Sequence, residues 1–140
     1  MTGSHFTNPH GLPDPEHYST AHDLALLGRA LIRDFPEHYA YNKIKEFTVG
    51  DITQRNRNLL LWRESSVDGI KTGHTSGAGY CLMTSAERNG QRLLTVVLGS
   101  TGEKQRADDS QALLEWGFRF FESNELYPAG KQITTQKVWK

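Results

Sequence analysis

The sequence predicts an α+β domain in which an antiparallel sheet is flanked by helices. Three observations predict this class: a helical apolar period from residue 20, two alternating apolar runs joined by Asn89-Gly90, and a second helical period from about residue 103. A chain of 140 residues is long enough to bury the core of one ordinary domain.

The N-terminal part of the chain contains a loop, a helix and a strand in this prediction. Residues 1–19 contain three prolines and show neither the helical nor the strand period of apolar residues, which predicts a surface loop. Thr20 and Asp23 form a capping pair for a helix at about 20–34, which Pro36 ends. One face of this helix is apolar: Leu24, Leu27, Gly28, Leu31, Ile32 and Phe35. KEFTV at 45–49 alternates like a strand, and DITQRNRN is typical of a polar turn.

The C-terminal part of the chain supplies the central sheet and a second helix. We expect one strand from Asp68, and two more at 79–87 and 91–100 that form a hairpin around Asn89-Gly90. A helix at about 103–123 is then expected to turn six residues toward the sheet: Ala112, Leu113, Trp116, Gly117, Phe120 and Phe121. KQITTQKVW, at 131–139, resumes a strand-like alternation.

Composition excludes several classes of function. Sixteen basic and sixteen acidic residues are interspersed, so no long-range field favours a nucleic acid partner. The longest apolar run, LLTVVL, is about a third of the length of a membrane-spanning helix. Cys81 is the one cysteine, so no internal disulfide forms, and the six histidines do not fall at metal-ligand spacing. We therefore expect no metal and no cofactor.

The stretch VDGIKTGHTSGAGY at 67–80 carries the chemical signal of the sequence. A Lys-Thr-Gly tripeptide alone is weak evidence of a functional site, because a solvated lysine on an edge strand beside a turn glycine gives the same three residues. Four glycines in the stretch, Gly69, Gly73, Gly77 and Gly79, weaken a strand unless a backbone approaches it closely. This pattern favours a strand edge that binds an extended peptide.

At these residues the chain resembles the serine-type D-alanyl-D-alanine carboxypeptidases, which are low-molecular-mass penicillin-binding proteins of the peptidase S11 type. The resemblance covers nearly the whole chain, through VDGIKTGHT, NPHGL, AHDLALLGRALIRDFP, NRNLLLW, AGYCL and WGFRFF. It implies a partial serine β-lactamase/penicillin-binding-protein-like (transpeptidase) fold. It also implies that residues 1–126 are the C-terminal portion of the carboxypeptidase domain. Residues 127–140 would be a linker and the first strand of a following β-rich domain.

Three motifs surround one cleft in that family: S-x-x-K with the nucleophile, S-x-N on a loop, and K-T-G on a strand. None of the nine serines has a lysine three residues later, and no serine or tyrosine precedes an asparagine by two. We therefore expect the first two motifs to lie upstream of this chain, which alone would be inactive. The resemblance further implies a periplasmic location with inner-membrane association of the full-length protein.

The resemblance assigns the K-T-G strand its roles. Lys71 would be catalytic, since its charge lowers the cost of negative charge on the serine oxygen and helps to relay protons. Thr72, Gly73 and Thr75 would bind the substrate's carboxylate and carbonyl. The His74 amide would be one oxyanion-hole donor, whereas its side chain would flank the cleft rather than act as a general base.

Three further residues match family positions around the cleft. Arg106 matches an arginine that approaches the substrate carboxylate, where bidentate pairing gives both geometry and energy; an ordinary first-turn helix arginine is the alternative. Arg57 matches a second cleft-side arginine. His10, in NPHGL, lies on a loop beside the nucleophile and lysines, and a histidine that only locks this loop by bonding to backbone explains it equally well.

The resemblance implies removal of the terminal D-Ala from peptidoglycan stem peptides ending in D-Ala-D-Ala, through a serine acyl-enzyme that β-lactams would trap. A non-enzymatic peptide-binding or assembly module that keeps only the K-T-G cleft wall is the alternative. An unrelated serine hydrolase is disfavoured because no G-x-S-x-G elbow is present. Without the N-terminal part of the same domain, we expect an exposed apolar face and a free strand edge, and hence self-association.

Overall fold

The chain forms two antiparallel sheets, and helices pack on the larger one. A computed structural model describes residues 1–139. The elements in chain order are α1 (Ala21–Asp34), α2 (Pro36–Tyr39), a 3-10 turn (Ala40–Lys43), β1 (Glu46–Val49), β2 (Ile52–Arg55), α3 (Leu60–Arg63), β3 (Val67–Thr75), β4 (Gly79–Arg88), β5 (Gln91–Ser100) and α4 (Glu103–Phe120). The architecture confirms the predicted α+β class.

Helix α1 begins and ends where the sequence predicts. The Thr20 hydroxyl accepts a hydrogen bond from the Asp23 N–H at 3.1 Å, and Pro36 opens the short helix α2. Gly28 is the buried contact between α1 and the sheet, because a methyl group there would lie 2.6 Å from Met83 Sδ and 2.8 Å from Leu94 Cδ1. Helix and sheet thus approach as closely as a glycine allows.

The central sheet has the strand order β3-β4-β5, and both pairs are antiparallel. Asn89 and Gly90 join β4 to β5 with φ angles of 52° and 79°, as a type I′ hairpin turn requires. The predicted hairpin is confirmed. Among residues 1–139, β3 pairs only with β4, so no strand lies along its other edge.

Helix α4 packs on the sheet through a face that shares only Gly117 with the predicted one. Its buried residues are Arg106, Ala107, Ser110, Leu114 and Gly117, whereas Trp116 and Phe120 are 54% and 62% exposed. Small residues explain the difference: a methyl group on Gly117 would lie 2.7 Å from Leu93 Cδ1. The helix approaches the sheet through this small-residue face, and the rings of Trp116 and Phe120 are left exposed.

The hydrophobic core lies between α4, α3 and one face of the central sheet. Its buried members are Leu60, Leu61, Val67, Leu82, Ala86, Ala107 and Leu114. Fully buried leucines from three different elements meet here, which fixes α4 against β4 and β5. The first turn of α4 is thereby held beside the end of β3.

The segment DITQRNRN is not the polar turn that its composition predicts. Ile52–Arg55 form β2, which pairs with β1 across the two-residue turn Gly50-Asp51. Gly50 has a φ of 57°, which suits such a turn. Both strands are exposed along their whole length, so their sequence needs no apolar alternation.

The C-terminal segment has no strand among residues 121–139, although KQITTQKVW alternates as a strand does. The described part of the segment finds no partner strand, and alternation alone supplies no hydrogen bonds. Lys140 lies outside the described residues. Within residues 1–139 no helix combines the length and apolarity that crossing a membrane requires.

Candidate functional site

A cleft of about 660 Å³ lies beside the end of β3. Every site residue predicted from the sequence lines it: His10, Arg57, Lys71, Thr72, Gly73, His74, Thr75 and Arg106. These residues come from the N-terminal loop, the segment before α3, strand β3 and the first turn of α4. The fold therefore brings together four segments that are distant in sequence.

Strand alternation distributes the K-T-G residues over the two faces of β3. Lys71 and Gly73 pair with Met83 and Cys81, whereas Thr72 and His74 pair with Leu82 and Tyr80 on the other face. Lys71 Nζ donates to the Thr72 carbonyl oxygen at 2.6 Å. The ammonium is exposed at the cleft, and its flexible four-carbon stem leaves it free to exchange this bond for another acceptor.

The glycines of this stretch serve different purposes from one another. A methyl group on Gly69 would lie 2.8 Å from Tyr39 Oη, and one on Gly79 would lie 3.1 Å from the Gly99 backbone. These two are required by the chain's own packing. A methyl group on Gly73, by contrast, would meet only Cys81 Cβ among residues 1–139, at 3.9 Å, and one on Gly77 would meet no atom of these residues within 4 Å. Gly73 is the glycine that leaves open space at the cleft.

The hydroxyls of the strand differ in what they bond. Thr75 Oγ1 accepts a hydrogen bond from the Ala78 N–H at 3.0 Å, which closes the turn to β4. The Thr72 hydroxyl, which is half-buried, makes no hydrogen bond with any of residues 1–139. Thr72 thus has its hydroxyl available for a ligand, whereas the Thr75 hydroxyl also has a structural task.

His10 projects from the N-terminal loop at the rim of the cleft. Its Nδ1 accepts a hydrogen bond from the Leu12 N–H at 3.2 Å, and Asn8 Oδ1 accepts one from the Gly11 N–H at 2.7 Å. His10 therefore locks its own loop, which is one of the two roles expected from the sequence. Locking the loop also holds the histidine beside β3.

Arg106 is a buried cation, not an ordinary exposed helix arginine. Its side chain is enclosed, with the residue only 3% exposed, and Nη2 donates to the Arg57 carbonyl oxygen at 3.4 Å. The buried Nε has no hydrogen-bond partner within residues 1–139, and no carboxylate there forms an ion pair with Arg106. Because an unpaired buried charge is costly, this guanidinium is suited to a carboxylate that enters the cleft.

Strand β3 is fixed at its start by a polar network away from the cleft. Tyr39 donates its hydroxyl hydrogen to Asp68 Oδ1 at 2.6 Å, and Arg92 Nη1 donates to Asp68 Oδ2 at 2.7 Å. Burial, followed by the hydrogen bond to Asp68, raises the pKa of Tyr39 above its ordinary value, so the phenol stays protonated as a donor. The network anchors the strand whose other end lines the cleft.

The cleft also contains residues that the sequence did not single out. Tyr80 and Glu103 line it together with the predicted residues. The hairpin pairing of His74 with Tyr80 was the available signal for Tyr80, and the three-residue spacing from Arg106 was the signal for Glu103. Residues 1–139 contain no group of three or more histidine, cysteine or acidic side chains arranged to hold a metal ion.

Comparison with protein families connects this geometry to a known class. A family model described as D-alanyl-D-alanine carboxypeptidase matches residues 1–102. This chain is 50% identical to the D-alanyl-D-alanine carboxypeptidase DacC of Escherichia coli over 140 residues. The alignment covers 99% of this chain and 35% of DacC. The chain is 48% identical to DacA of Haemophilus influenzae over 99% of this chain, and covers 36% of that protein. The chain thus spans about a third of the length of these curated relatives.

Solved structures give the same class. The chain aligns with penicillin binding protein 5 from Haemophilus influenzae at a TM-score of 0.89 and 49% identity, covering 94% of this chain and 39% of that one. It aligns with penicillin-binding protein D2 from Listeria monocytogenes, solved with cefotaxime bound, at a TM-score of 0.76 and 34% identity. That alignment covers 82% of this chain and 48% of the Listeria chain. The fold described above is therefore part of the penicillin-binding-protein fold.

Proposed function

This chain belongs to the D-alanyl-D-alanine carboxypeptidase family, and we propose that it forms one wall of the catalytic cleft of such an enzyme. The convergence of all eight predicted residues on one cleft supports this proposal. The substrate would be a peptidoglycan stem peptide ending in D-Ala-D-Ala. The protein would act in the periplasm, in association with the inner membrane.

We propose that the S-x-x-K and S-x-N motifs come from a segment outside these 140 residues. Residues 1–126 would be the C-terminal portion of the catalytic domain, and 127–140 a linker and the first strand of a following β-rich domain. The missing N-terminal part of the domain is then the first partner of this chain, and the chain alone would be inactive.

The substrate would lie along the free edge of β3 as an added strand. Its terminal carboxylate would accept hydrogen bonds from Arg106 and Thr72, and Arg57 would add positive charge at the same end of the cleft. Gly73 would let the peptide backbone approach, with Thr75 and His10 bounding the site. The buried guanidinium, unpaired by any carboxylate of residues 1–139, is the observation that favours this orientation.

The reaction would be acyl transfer through a serine that the upstream segment supplies. The serine oxygen bonds to the penultimate D-Ala carbonyl carbon while its proton passes to a base. The C–N bond then breaks, and D-Ala leaves after its nitrogen takes up a proton. The His74 N–H would stabilise the carbonyl oxygen as it becomes negative. Lys71 would stabilise the serine oxygen, and water would then hydrolyse the ester. A β-lactam would acylate the same serine.

Reconstitution tests the catalytic assignment. We would mix the chain with the upstream portion encoded by its gene, and measure D-Ala release and the mass increase on penicillin acylation. We expect turnover in the mixture and a loss of about a thousandfold or more in Lys71→Ala, since this residue would act as a unit with the nucleophile. Lys43→Ala, at an exposed position that does not line the cleft, is the matched control and should keep full activity.

The same experiment separates the enzyme from the non-enzymatic module. A well-folded mixture that releases no D-Ala and takes up no penicillin would favour a peptide-binding or assembly module. Activity that is equal in Lys71→Ala and Lys43→Ala would remove Lys71 from the mechanism.

A further inference from the structure

Arg106 needs something other than an acidic partner to hold it in place. The one hydrogen bond of its side chain to residues 1–139, from Nη2 to the Arg57 carbonyl oxygen, is long at 3.4 Å, and the buried Nε bonds to none of these residues. A single weak bond does not define the plane of a guanidinium. Bidentate recognition of a carboxylate depends on that plane.

Tyr80 supplies the missing contact. The Arg106 guanidinium carbon lies 5.6 Å from the centre of the Tyr80 ring, within the range of a cation–π interaction. The same ring stacks on the His74 imidazole, with the ring centres 4.0 Å apart and the planes inclined by 32°. All three side chains border the cleft. Tyr80 therefore links the cation on α4 to the histidine on β3.

A β-bulge on β5 lies opposite the start of β4, next to Tyr80. Tyr80 pairs with Ser100 and Leu82 pairs with Val97, so a two-residue step on β4 faces a three-residue step on β5. Leu98 and Gly99 lie between these two β5 partners, and Gly99 has a φ of 76°. Bulges of this kind re-aim the neighbouring side chain. On its other side Tyr80 pairs with His74 across β3, so strands on both sides fix its backbone.

The Tyr80 hydroxyl is not needed for this arrangement, since it makes no hydrogen bond with any of residues 1–139. The ring face is the part of the side chain that contacts both Arg106 and His74. A phenylalanine would preserve both contacts. A leucine would fill much of the same space but would offer no π face.

We propose that Tyr80 is a positioning residue that fixes the Arg106 guanidinium toward the cleft, and that it thereby selects peptides ending in a free carboxylate. This inference rests on the proposed carboxylate-binding role of Arg106. It predicts that removing the ring weakens recognition of the carboxylate specifically, and leaves recognition of the rest of the peptide unchanged.

The test compares two probes that differ only in the charged group. The 140-residue chain is titrated with N-acetyl-D-Ala-D-Ala and with its C-terminal amide. The dissociation constant of the amide is divided by that of the free acid, and this ratio measures the preference for the carboxylate. We expect Tyr80→Phe to keep the ratio of the unaltered chain. Tyr80→Leu should lower the ratio about tenfold, the effect of losing a largely desolvated cation–π contact. Arg106→Gln should remove the preference for the carboxylate.

A second measurement follows Arg106 itself. In the chain labelled with ¹⁵N-arginine, the Arg106 Nε–H signal is identified by its absence from Arg106→Gln. Its position and its slow exchange with water should persist in Tyr80→Phe and be lost in Tyr80→Leu. This signal reports the orientation of the guanidinium without any ligand.

The outcomes distinguish the inference from the proposed function. If Arg106→Gln removes the preference and Tyr80→Leu does not, the inference is wrong and the carboxylate site stands. If the unaltered chain shows no preference, the proposed carboxylate role of Arg106 is wrong. The same result would overturn the proposed selection of peptides by Tyr80. An Nε–H signal that is unchanged in Tyr80→Leu would overturn the proposed positioning of Arg106.

Discussion

Asp23 ties the first residues of the chain to helix α1. Its Oδ2 accepts hydrogen bonds from the Gly3 N–H at 2.9 Å and the Ser4 hydroxyl at 2.7 Å, and the residue is buried. The Ser4 hydrogen bond is the largest of the effects that lower the pKa of Asp23 below its ordinary value of 3.8. A single carboxylate thus holds the start of the loop that carries His10.

This lowered pKa predicts how stability depends on pH. Because the folded state favours the ionised form, the stabilisation is fully present well above pH 3.8 and is lost as the pH falls through the lower, folded-state pKa. Asp23→Asn should therefore lower the free energy of unfolding at pH 6 and flatten its decline toward pH 3, as measured by urea unfolding.

Asp51→Asn is the matched control, because Asp51 is an exposed carboxylate in the β1–β2 turn that bonds to none of residues 1–139. It should leave both the stability and its pH dependence unchanged. An acid profile of Asp23→Asn that parallels that of the unaltered chain would contradict the assignment.

Individual site residues were predictable only where they belong to a sequence motif of the family. The eight predicted positions came with the resemblance, and all of them line the cleft. The burial of Arg106 was not predictable, because it depends on α4 packing through small residues instead of aromatic ones. Tyr80 was missed because its contact with Arg106 joins strand β4 to helix α4 at the cleft, and no sequence motif marks a contact between such distant segments.

At the scale of elements, the turn between β3 and β4 shows how two nearby glycines differ. Gly79 has a φ of 66° and faces the Gly99 backbone, whereas a methyl group on Gly77 would meet no atom of the described residues within 4 Å. Gly79→Ala should lower the free energy of unfolding by about 1–3 kcal/mol, through left-handed strain and the displaced backbone. Gly77→Ala should change it by less than about 0.5 kcal/mol.

Urea unfolding of the two variants and the unaltered chain measures both values. Equal midpoints for Gly79→Ala and Gly77→Ala would show that the close approach of β4 and β5 is not a constraint.

Strong periodicity made the long elements predictable, whereas the four-residue elements α2, the 3-10 turn, β2 and α3 are too short to show a period. The helix at 21–34 and the 79–100 hairpin follow from apolar spacing and from Asn89-Gly90. β2 was missed because a fully exposed two-stranded ribbon imposes no apolar pattern. Its stability comes instead from pairs such as Arg55 with Glu46, at 2.9 Å, and Thr48 with Thr53.

At the scale of the whole molecule, an apolar cavity of about 530 Å³ lies open between α1 and the central sheet. Leu24, Leu27 and Leu31 border it from the helix, and Met83 and Leu98 from the sheet. Leu27 and Leu98 are substantially exposed. Together with the free edge of β3, this surface favours contact with another polypeptide.

We therefore expect the isolated chain to self-associate or exchange strands at micromolar concentration, which sedimentation velocity measures. Leu98→Lys, at the cavity, should shift the chain toward monomer, because association would bury the new charge. Leu126→Lys, at a highly exposed position of the C-terminal segment, is the control and should not. A stable monomer of the unaltered chain would refute the expectation.

The three-residue turn Ser76–Ala78 has a consequence for how this sequence can vary. Thr75 Oγ1 and the Ala78 N–H close the turn, and the pairs Thr75–Gly79 and His74–Tyr80 follow directly from it. A shift of the pairing by one residue would transfer every side chain of a strand to the opposite face. Lys71 would then change places with Thr72, and Tyr80 would lose His74. The length of the turn is thus as much a part of the site as the residues that line it, and insertions or deletions there are constrained even where the identities of Ser76 and Gly77 are not.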